Sequence, residues 1–324
     1  MLQVRGLTVR YRPEGRAEVA AVNQVDFSIA SGEAVGLLGE SGCGKPTLAL
    51  SLLRLLPATA CEVRGSIFFG KTELLGLGES ELRRLRGAKI SMIFQEPEIS
   101  LNPVMRVGQQ IAEVIRAHHP KGRQQCLDEV RALLDQLGFS DAHRIFNAYP
   151  HQLSGGQRQR AVIAQAIVCK PSLVIADEPT TALDPTVQSE ILALFNDLKA
   201  RFQTAFLFIS HSPAILAKVV DRILVMYAGR IVEEAETTQI LRHPLHPYTV
   251  GLLRCVFELG DEGAFRPRRV LPSIPGNPPG PTDLIHGCPF EPRCPERMED
   301  CTAREPREVK LEDSRGVRCF KYGG

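Results

Sequence analysis

Apolar residues recur along this chain with two different periods, and the switch between them marks out its parts. Five short stretches are apolar almost without interruption: Ala34–Leu38, 90–94, 172–176, 204–209 and 222–227. Runs of that length, bounded by glycine, proline or charge, predict strands buried on both faces of a parallel sheet. Residues 2–10 and 25–30 also read as strands. From about 96 to 165 the strand pattern stops and helical spacing takes over. Its clearest instance is 124–137, where Leu127, Val130, Leu133, Leu134 and Leu137 share one face. Helical spacing also covers 45–56 and 186–201. Together these predict a parallel α/β core interrupted by a helical insert.

The last part of the chain is different. Residues 267–295 hold nine of the 23 prolines, which predicts an extended, non-helical tail. Composition adds mainly exclusions. With 44% hydrophobic and 23% charged residues, the chain has the make-up of an ordinary globular protein. Its 324 residues allow one large domain with an appendage, or two modest domains. A net charge of +2 is too small to point to nucleic acid. No apolar run approaches the roughly 18 residues of a membrane helix. The first residues read as an edge strand without a signal-peptide pattern. The expectation is a protein kept in the cytosol that reaches a membrane only through a partner.

The candidate chemistry sits where strands end. Gly39-Glu40-Ser41-Gly42-Cys43-Gly44-Lys45 joins the strand Ala34–Leu38 to a helix, which is the context a phosphate-binding loop requires. Glycines let consecutive N–H groups form an anion nest, and Lys45 adds a point charge for β- and γ-phosphates. The next residue departs from the pattern. A serine or threonine should follow the lysine and ligate Mg²⁺, but Pro46 stands there, followed by Thr47. Proline suits a first helical turn, so the fold survives, while a hydroxyl and an N–H aimed at phosphate are lost. Thr47 is one residue, about a 100° rotation, away from replacing that hydroxyl. Cys43 reads as a slot filler facing the phosphate; the alternative is a thiol sensitised by the helix N-terminus.

Asp177 and Glu178 close the strand 172–176, placed to hold Mg²⁺ and to polarise an attacking water respectively. Gln95, after the strand 90–94, can reach both metal and water. His211, after the strand 204–209, can contact a γ-phosphate. Tyr11, ending the first strand, is placed to stack on adenine or to pack an edge. Leu153-Ser154-Gly155-Gly156-Gln157 reads as a capping box whose two glycines leave a helix N-terminus open to an anion.

In this order these motifs, with Ala182-Leu183-Asp184, resemble those of an ABC-transporter ATPase subunit over roughly residues 1–235. The resemblance implies a RecA-like P-loop α/β core, an antiparallel β-subdomain and a helical subdomain at about 96–165. It implies two cassettes sandwiching two ATPs head to tail, so that Ser154, Gly155, Gly156 and Gln157 act on the partner's ATP. Asp184 then lies in the D-loop, and Gly39, Ser41, Gly42, Cys43, Gly44, Lys45, Pro46, Thr47 and Tyr11 bind this chain's own nucleotide. Glu178, His211 and Gln95 become catalytic, with Gln95 and Asp177 on Mg²⁺.

A narrower resemblance, to ATPases of dipeptide and oligopeptide importers, rests on Phe94-Gln95-Glu96-Pro97 with Ser100-Leu101-Asn102-Pro103. His246-Pro247-Tyr248-Thr249, Ile274-Pro275-Gly276 and Cys288-Pro289-Phe290-Glu291-Pro292-Arg293-Cys294-Pro295 extend it through 236–324. It implies peptide import, two transmembrane permease subunits and an extracytoplasmic binding protein, and the departure at Pro46 favours a paralogous ATPase as partner, since one impaired site then leaves a competent one. The subunit would sit peripherally on the cytoplasmic face of the inner membrane. Alternatives are a nucleotide-binding, poorly hydrolysing half of a heterodimer, and an importer of nickel or another small solute.

Cys288, Cys294, Cys301 and Cys319 are separated by five, six and 17 residues. Four thiolates suffice for Zn²⁺ or a [4Fe–4S] cluster. The short paired-cysteine knuckles usual for zinc ribbons are absent, and the resemblance implies an iron–sulfur cluster. Zinc and unliganded thiols stay open beside it.

Overall fold

The computed structural model describes residues 1–12, 18–57, 59–257, 273–280, 282–283, 285–312 and 315–323. The opening of the proline-rich run, 267–272, and Pro281 therefore lie outside the described residues. The chain divides into two compact units. One contains Met1–Ile29, Val35–Leu75 and Ile209–Gly324, the other Ala30–Ala34 and Gly76–Phe208.

The first unit is built on two groups of strands. In an antiparallel sheet, Leu2–Tyr11 lies between Val19–Ile29 and Cys61–Phe69, an inner strand and not the expected edge, with the short strand Thr72–Glu73 at the edge. Leu2 faces Ile29 on one side and Phe69 on the other, and Tyr11 faces Val19 and Cys61. Leu2, Val4, Leu7 and Val9 are all buried. Strict alternation would put Leu7 on the opposite face from Val4, so the register must slip between them. It does so at Gly6, which has φ +54°. A side chain on the facing Gly65 would lie 2.6 Å from the Gly6 carbonyl oxygen, so both strands need glycine at this bulge.

In the second group, Ala34–Leu38 runs parallel to Arg222–Tyr227, with Leu38 opposite Val225. Arg222–Tyr227 turns back into Arg230–Glu236 through Ala228 and Gly229, both with positive φ, as a two-residue hairpin of matching twist demands. The short strands Gly316–Val317 and Val309–Lys310 extend this sheet, so the end of the chain is joined to it.

In the second unit, Ile90–Ile93 runs parallel to Leu173–Asp177, and Ala205–Ser210 follows next in sheet order. Phe195 of the helix Pro185–Phe202 meets Phe206 and Phe208 edge-on, at centroid distances of 5.7 and 5.0 Å. The predicted helical insert contains Val107–His118, Arg123–Gln136, Ala142–Asn147 and Gly155–Ile167. Cys126, Val130 and Leu134 give Arg123–Gln136 its buried face. Gly108 lets Phe146 press onto the first of these helices, since a Cβ there would lie 2.2 Å from the ring.

Several boundaries differ from the sequence expectation. The helix expected over 45–56 ends at Leu52, and Arg54 takes φ +50°. The strand expected at 25–30 begins at Val19. Cys61–Phe69 and Arg230–Glu236 are strands that the hydrophobic pattern does not announce.

Candidate functional site

Loop residues 39–44 lie between the strand Ala34–Leu38 and the helix Lys45–Leu52. Gly44 caps that helix with φ 107°. A Cβ on Gly44 would lie 2.1 Å from the Ala21 carbonyl oxygen, and one on Gly39 would lie 2.3 Å from that of Met226. Both positions exclude any side chain, which is why the loop can press against neighbouring backbone. Ser41 and Gly42 are exposed at its tip.

The Lys45 side chain is buried and folds back over the loop. Its Nζ donates to the carbonyl oxygens of Gly39 at 2.8 Å and Glu40 at 2.9 Å. Cys43 Sγ lies 3.7 Å from the same ammonium. Burial pushes the Cys43 thiol pKa up, against the lowering effect of Lys45, so its surroundings do not sensitise it. Pro46 occupies the first helical turn and is exposed. The Thr47 hydroxyl lies 3.3 Å from the Tyr11 hydroxyl, and either can donate. Tyr11 therefore stands beside this helix, hydrogen-bonded to the hydroxyl of the residue after Pro46.

In the other unit, Asp177 ends its strand at 8% exposure. Glu178 follows with φ +44°, a left-handed conformation uncommon outside glycine and costing on the order of 1 kcal/mol or more. Gln95 Nε2 donates to Glu178 Oε2 at 3.2 Å, and Thr181 Oγ1 donates to the same oxygen at 2.9 Å. Gln95 and Glu178, 83 residues apart in sequence, are thus brought together. His211, which belongs to the first unit, is exposed just after Ala205–Ser210. Asp184 caps the helix Pro185–Phe202, its Oδ1 accepting the N–H groups of Thr186 and Val187 at 3.1 and 3.0 Å.

The capping box forms as its sequence requires. Ser154 Oγ accepts the Gln157 N–H at 3.3 Å, and Gln157 Oε1 accepts the Ser154 N–H at 3.1 Å. Gly156 has a second reason to be glycine. A Cβ there would lie 2.6 Å from Val187 Cγ1, so the helix Gly155–Ile167 crosses Pro185–Phe202 at this point.

Cys288, Cys294, Cys301 and Cys319 line one small cavity together with Phe290, and none of them is in a disulfide. Burial raises the pKa of the Cys288 thiol to about 11, and those of Cys294 and Cys319 also rise through burial. The donor set is that of a soft metal or iron–sulfur site. The arrangement is not: among the described residues no three His, Cys, Asp or Glu side chains are placed to hold a metal ion.

One feature of the tail has no counterpart in the motifs of the sequence. Arg293 is 5% exposed, and its guanidinium holds the Glu40 carboxylate of the phosphate loop. A signal was present in the sequence. An acidic residue inside a loop built for anions calls for a cation nearby, though nothing in the spacing says which one.

The ABC transporter family model matches residues 22–181, and the family described as oligopeptide/dipeptide transporter, C-terminal region, matches residues 232–301. The chain is 44% identical to the oligopeptide transport ATP-binding protein OppD of Escherichia coli K12, over 99% of this chain and 93% of that protein. It is 44% identical to a putative peptide import ATP-binding protein of Brucella ovis, over 99% and 97%. Among solved structures, the dimeric bacterial ABC transporter cassette MJ0796 aligns with a TM-score of 0.65 at 25% identity, covering 73% of this chain and 99% of that one. The same cassette in a post-hydrolysis state bound to ADP and Pi aligns with the same score.

Proposed function

Because the chain belongs to the ABC-transporter ATP-binding subunits of the oligopeptide/dipeptide type, we propose that it binds and hydrolyses ATP to power peptide import across the cytoplasmic membrane. The observation that carries the substrate class is the match of 232–301 to the oligopeptide/dipeptide C-terminal region. The nucleotide motifs alone support ATP use and leave the cargo open.

The loop 39–44 is the phosphate cradle, and Lys45 Nζ turns from the Gly39 and Glu40 carbonyls to the β- and γ-phosphates. Tyr11 packs the adenine. Glu178, kept in place by Gln95 and Thr181, orients the attacking water and accepts its proton. His211 steadies the γ-phosphate. Asp177 and Gln95 would hold Mg²⁺, which when bound offsets charge on the β- and γ-oxygens. A magnesium site of this kind is completed mostly by nucleotide oxygens and water, so it needs no cage of carboxylates.

The ATPase domain spans 1–235, with the importer-type extension at 236–324. Two cassettes close head to tail, so Ser154 to Gln157 and Asp184 serve the partner's nucleotide. The partner is a paralogous ATPase, a reading supported by Pro46, since a weakened site in one subunit leaves a competent one in the other. Among the described residues no helix is long and apolar enough to cross a membrane. The subunit instead sits on the cytoplasmic face of the inner membrane, on two permease subunits served by an extracytoplasmic binding protein. The four cysteines supply thiols enough for a structural [4Fe–4S] cluster, or Zn²⁺, but would have to draw together from the spacing they have in this structure to hold it.

The test is peptide uptake and ATP hydrolysis by the assembled importer, purified without oxygen. Glu178→Gln should lower turnover by at least about a hundredfold while nucleotide still binds. Uptake of nickel in place of peptides would refute the substrate reading, and protein free of both iron and zinc would refute the cluster.

A further inference from the structure

Glu40 poses an electrostatic problem. It places a carboxylate inside a turn that has to receive the negative charge of a triphosphate, and an uncompensated carboxylate there would repel the ligand. The compensating charge comes from 253 residues further along the chain. Arg293 Nη1 donates to Glu40 Oε2 at 2.7 Å and Nη2 to Oε1 at 3.1 Å, a two-pronged pair in which neither group can rotate alone. The guanidinium is fixed in turn: Nε donates to the Pro275 carbonyl oxygen at 3.0 Å, and Nη1 also reaches the Tyr227 hydroxyl at 3.3 Å. The bond to Glu40 raises the arginine's pKa further, so the cation is permanent.

A second contact reaches the same residue from a different element. The Glu40 N–H donates to the Tyr248 hydroxyl at 2.8 Å. Tyr248 is fully buried and packed on Tyr227 and Phe290, at centroid distances of 4.6 and 5.5 Å. The backbone and the side chain of one loop residue are therefore both held by the segment after residue 236.

We propose that Arg293 and Tyr248 are positioning residues for the phosphate loop: Arg293 neutralises and orients the Glu40 carboxylate, and Tyr248 fixes the Glu40 peptide. The cysteine-bearing extension is on this account a working part of the nucleotide site rather than an appendage to it. The proposal rests on the reading of loop 39–44 as the ATP cradle.

Affinity of the full-length chain for a fluorescent ATP analogue, read beside its thermal midpoint without nucleotide, tests this. Arg293→Ala should weaken binding roughly tenfold or more, as loss of a charge-assisted pair implies. Arg293→Lys should recover part of the loss. The deciding variant is Arg293→Ala combined with Glu40→Gln. It should bind tighter than Arg293→Ala alone, because the unpaired carboxylate is gone, whereas a purely structural arginine would give no such rescue. Should Arg293→Ala not fold, Arg293→Lys and Tyr248→Phe carry the test, each expected to weaken binding severalfold with little change in thermal midpoint. Unchanged affinity in these variants, or a double variant no better than the single one, overturns the proposal. Lys45→Ala separates the two levels. If it leaves affinity intact, the cradle reading itself falls. If it abolishes binding while the Arg293 and Tyr248 variants bind normally, only the positioning role falls.

Discussion

Pro46 replaces a hydroxyl with a ring and removes an N–H at the start of the helix Lys45–Leu52. The helix tolerates this, because the first-turn N–H groups have no partner within the helix. A bound Mg-nucleotide would not be indifferent. One charge-assisted hydrogen bond contributes about 1.5–3 kcal/mol, and Thr47 is no ready substitute while its hydroxyl faces Tyr11 at 3.3 Å. Pro46→Ser should therefore tighten Mg-ATP binding by roughly ten- to a hundredfold and raise turnover in the assembled importer. Binding measured with and without Mg²⁺ checks the cause, since the gain should largely vanish when the metal is chelated. Equal affinity for the two proteins would mean that the proline is harmless.

At the level of elements, the strongest signals in the sequence were those with a local physical cause. Ser154 and Gln157 announce their capping box because both partners lie within one turn. The run Leu173–Asp177 announces a buried strand because every residue in it is buried. Gly156 shows the limit of such reading. The sequence suggests a bare helix end, but the close approach of Val187, 31 positions later, cannot be seen in any local pattern. Gly156→Ala should accordingly lower the thermal midpoint by an amount equivalent to about 1–3 kcal/mol, the usual cost of overpacking. Gly155→Ala is its control, since a Cβ there would meet Leu183 at an ordinary 3.7 Å. Equal losses in the two variants would remove Val187 as the reason. Cys61–Phe69 carries no strand signal for a related reason. Only Ile67 in it is fully buried, so no alternation survives to mark the strand. Asn23, Gln24 and Asp26 interrupt the apolar positions of Val19–Ile29, so only its end reads as a strand. The pair of Arg293 and Glu40 was beyond local reading altogether.

Across the whole chain, the segment after residue 236 buries ionisable groups that make stability depend on pH. His246 is 2% exposed, and its Nδ1 accepts the Tyr248 N–H at 3.1 Å. Burial lowers its pKa from the ordinary 6.5 to about 4. The unfolded chain then takes up a proton below pH 6.5 that the folded chain refuses until about pH 4. The stabilisation is complete above the first value and is lost as pH falls towards the second, an amount on the order of 3 kcal/mol. Glu233 opposes this. Its two carboxylate oxygens accept the N–H groups of Leu245 and His246 at 2.8 and 2.9 Å, yet burial raises its pKa. The folded chain therefore protonates Glu233 before the unfolded chain does, and folding gains as pH falls through that range. The two groups pull in opposite directions, so wild type should lose only part of the histidine's share. Removing the histidine leaves the glutamate alone. The thermal midpoint of His246→Gln should therefore fall less than that of wild type between about pH 7 and about pH 4.5, even if the variant is less stable at neutral pH. Parallel profiles for the two proteins would show that His246 does not carry the acid sensitivity.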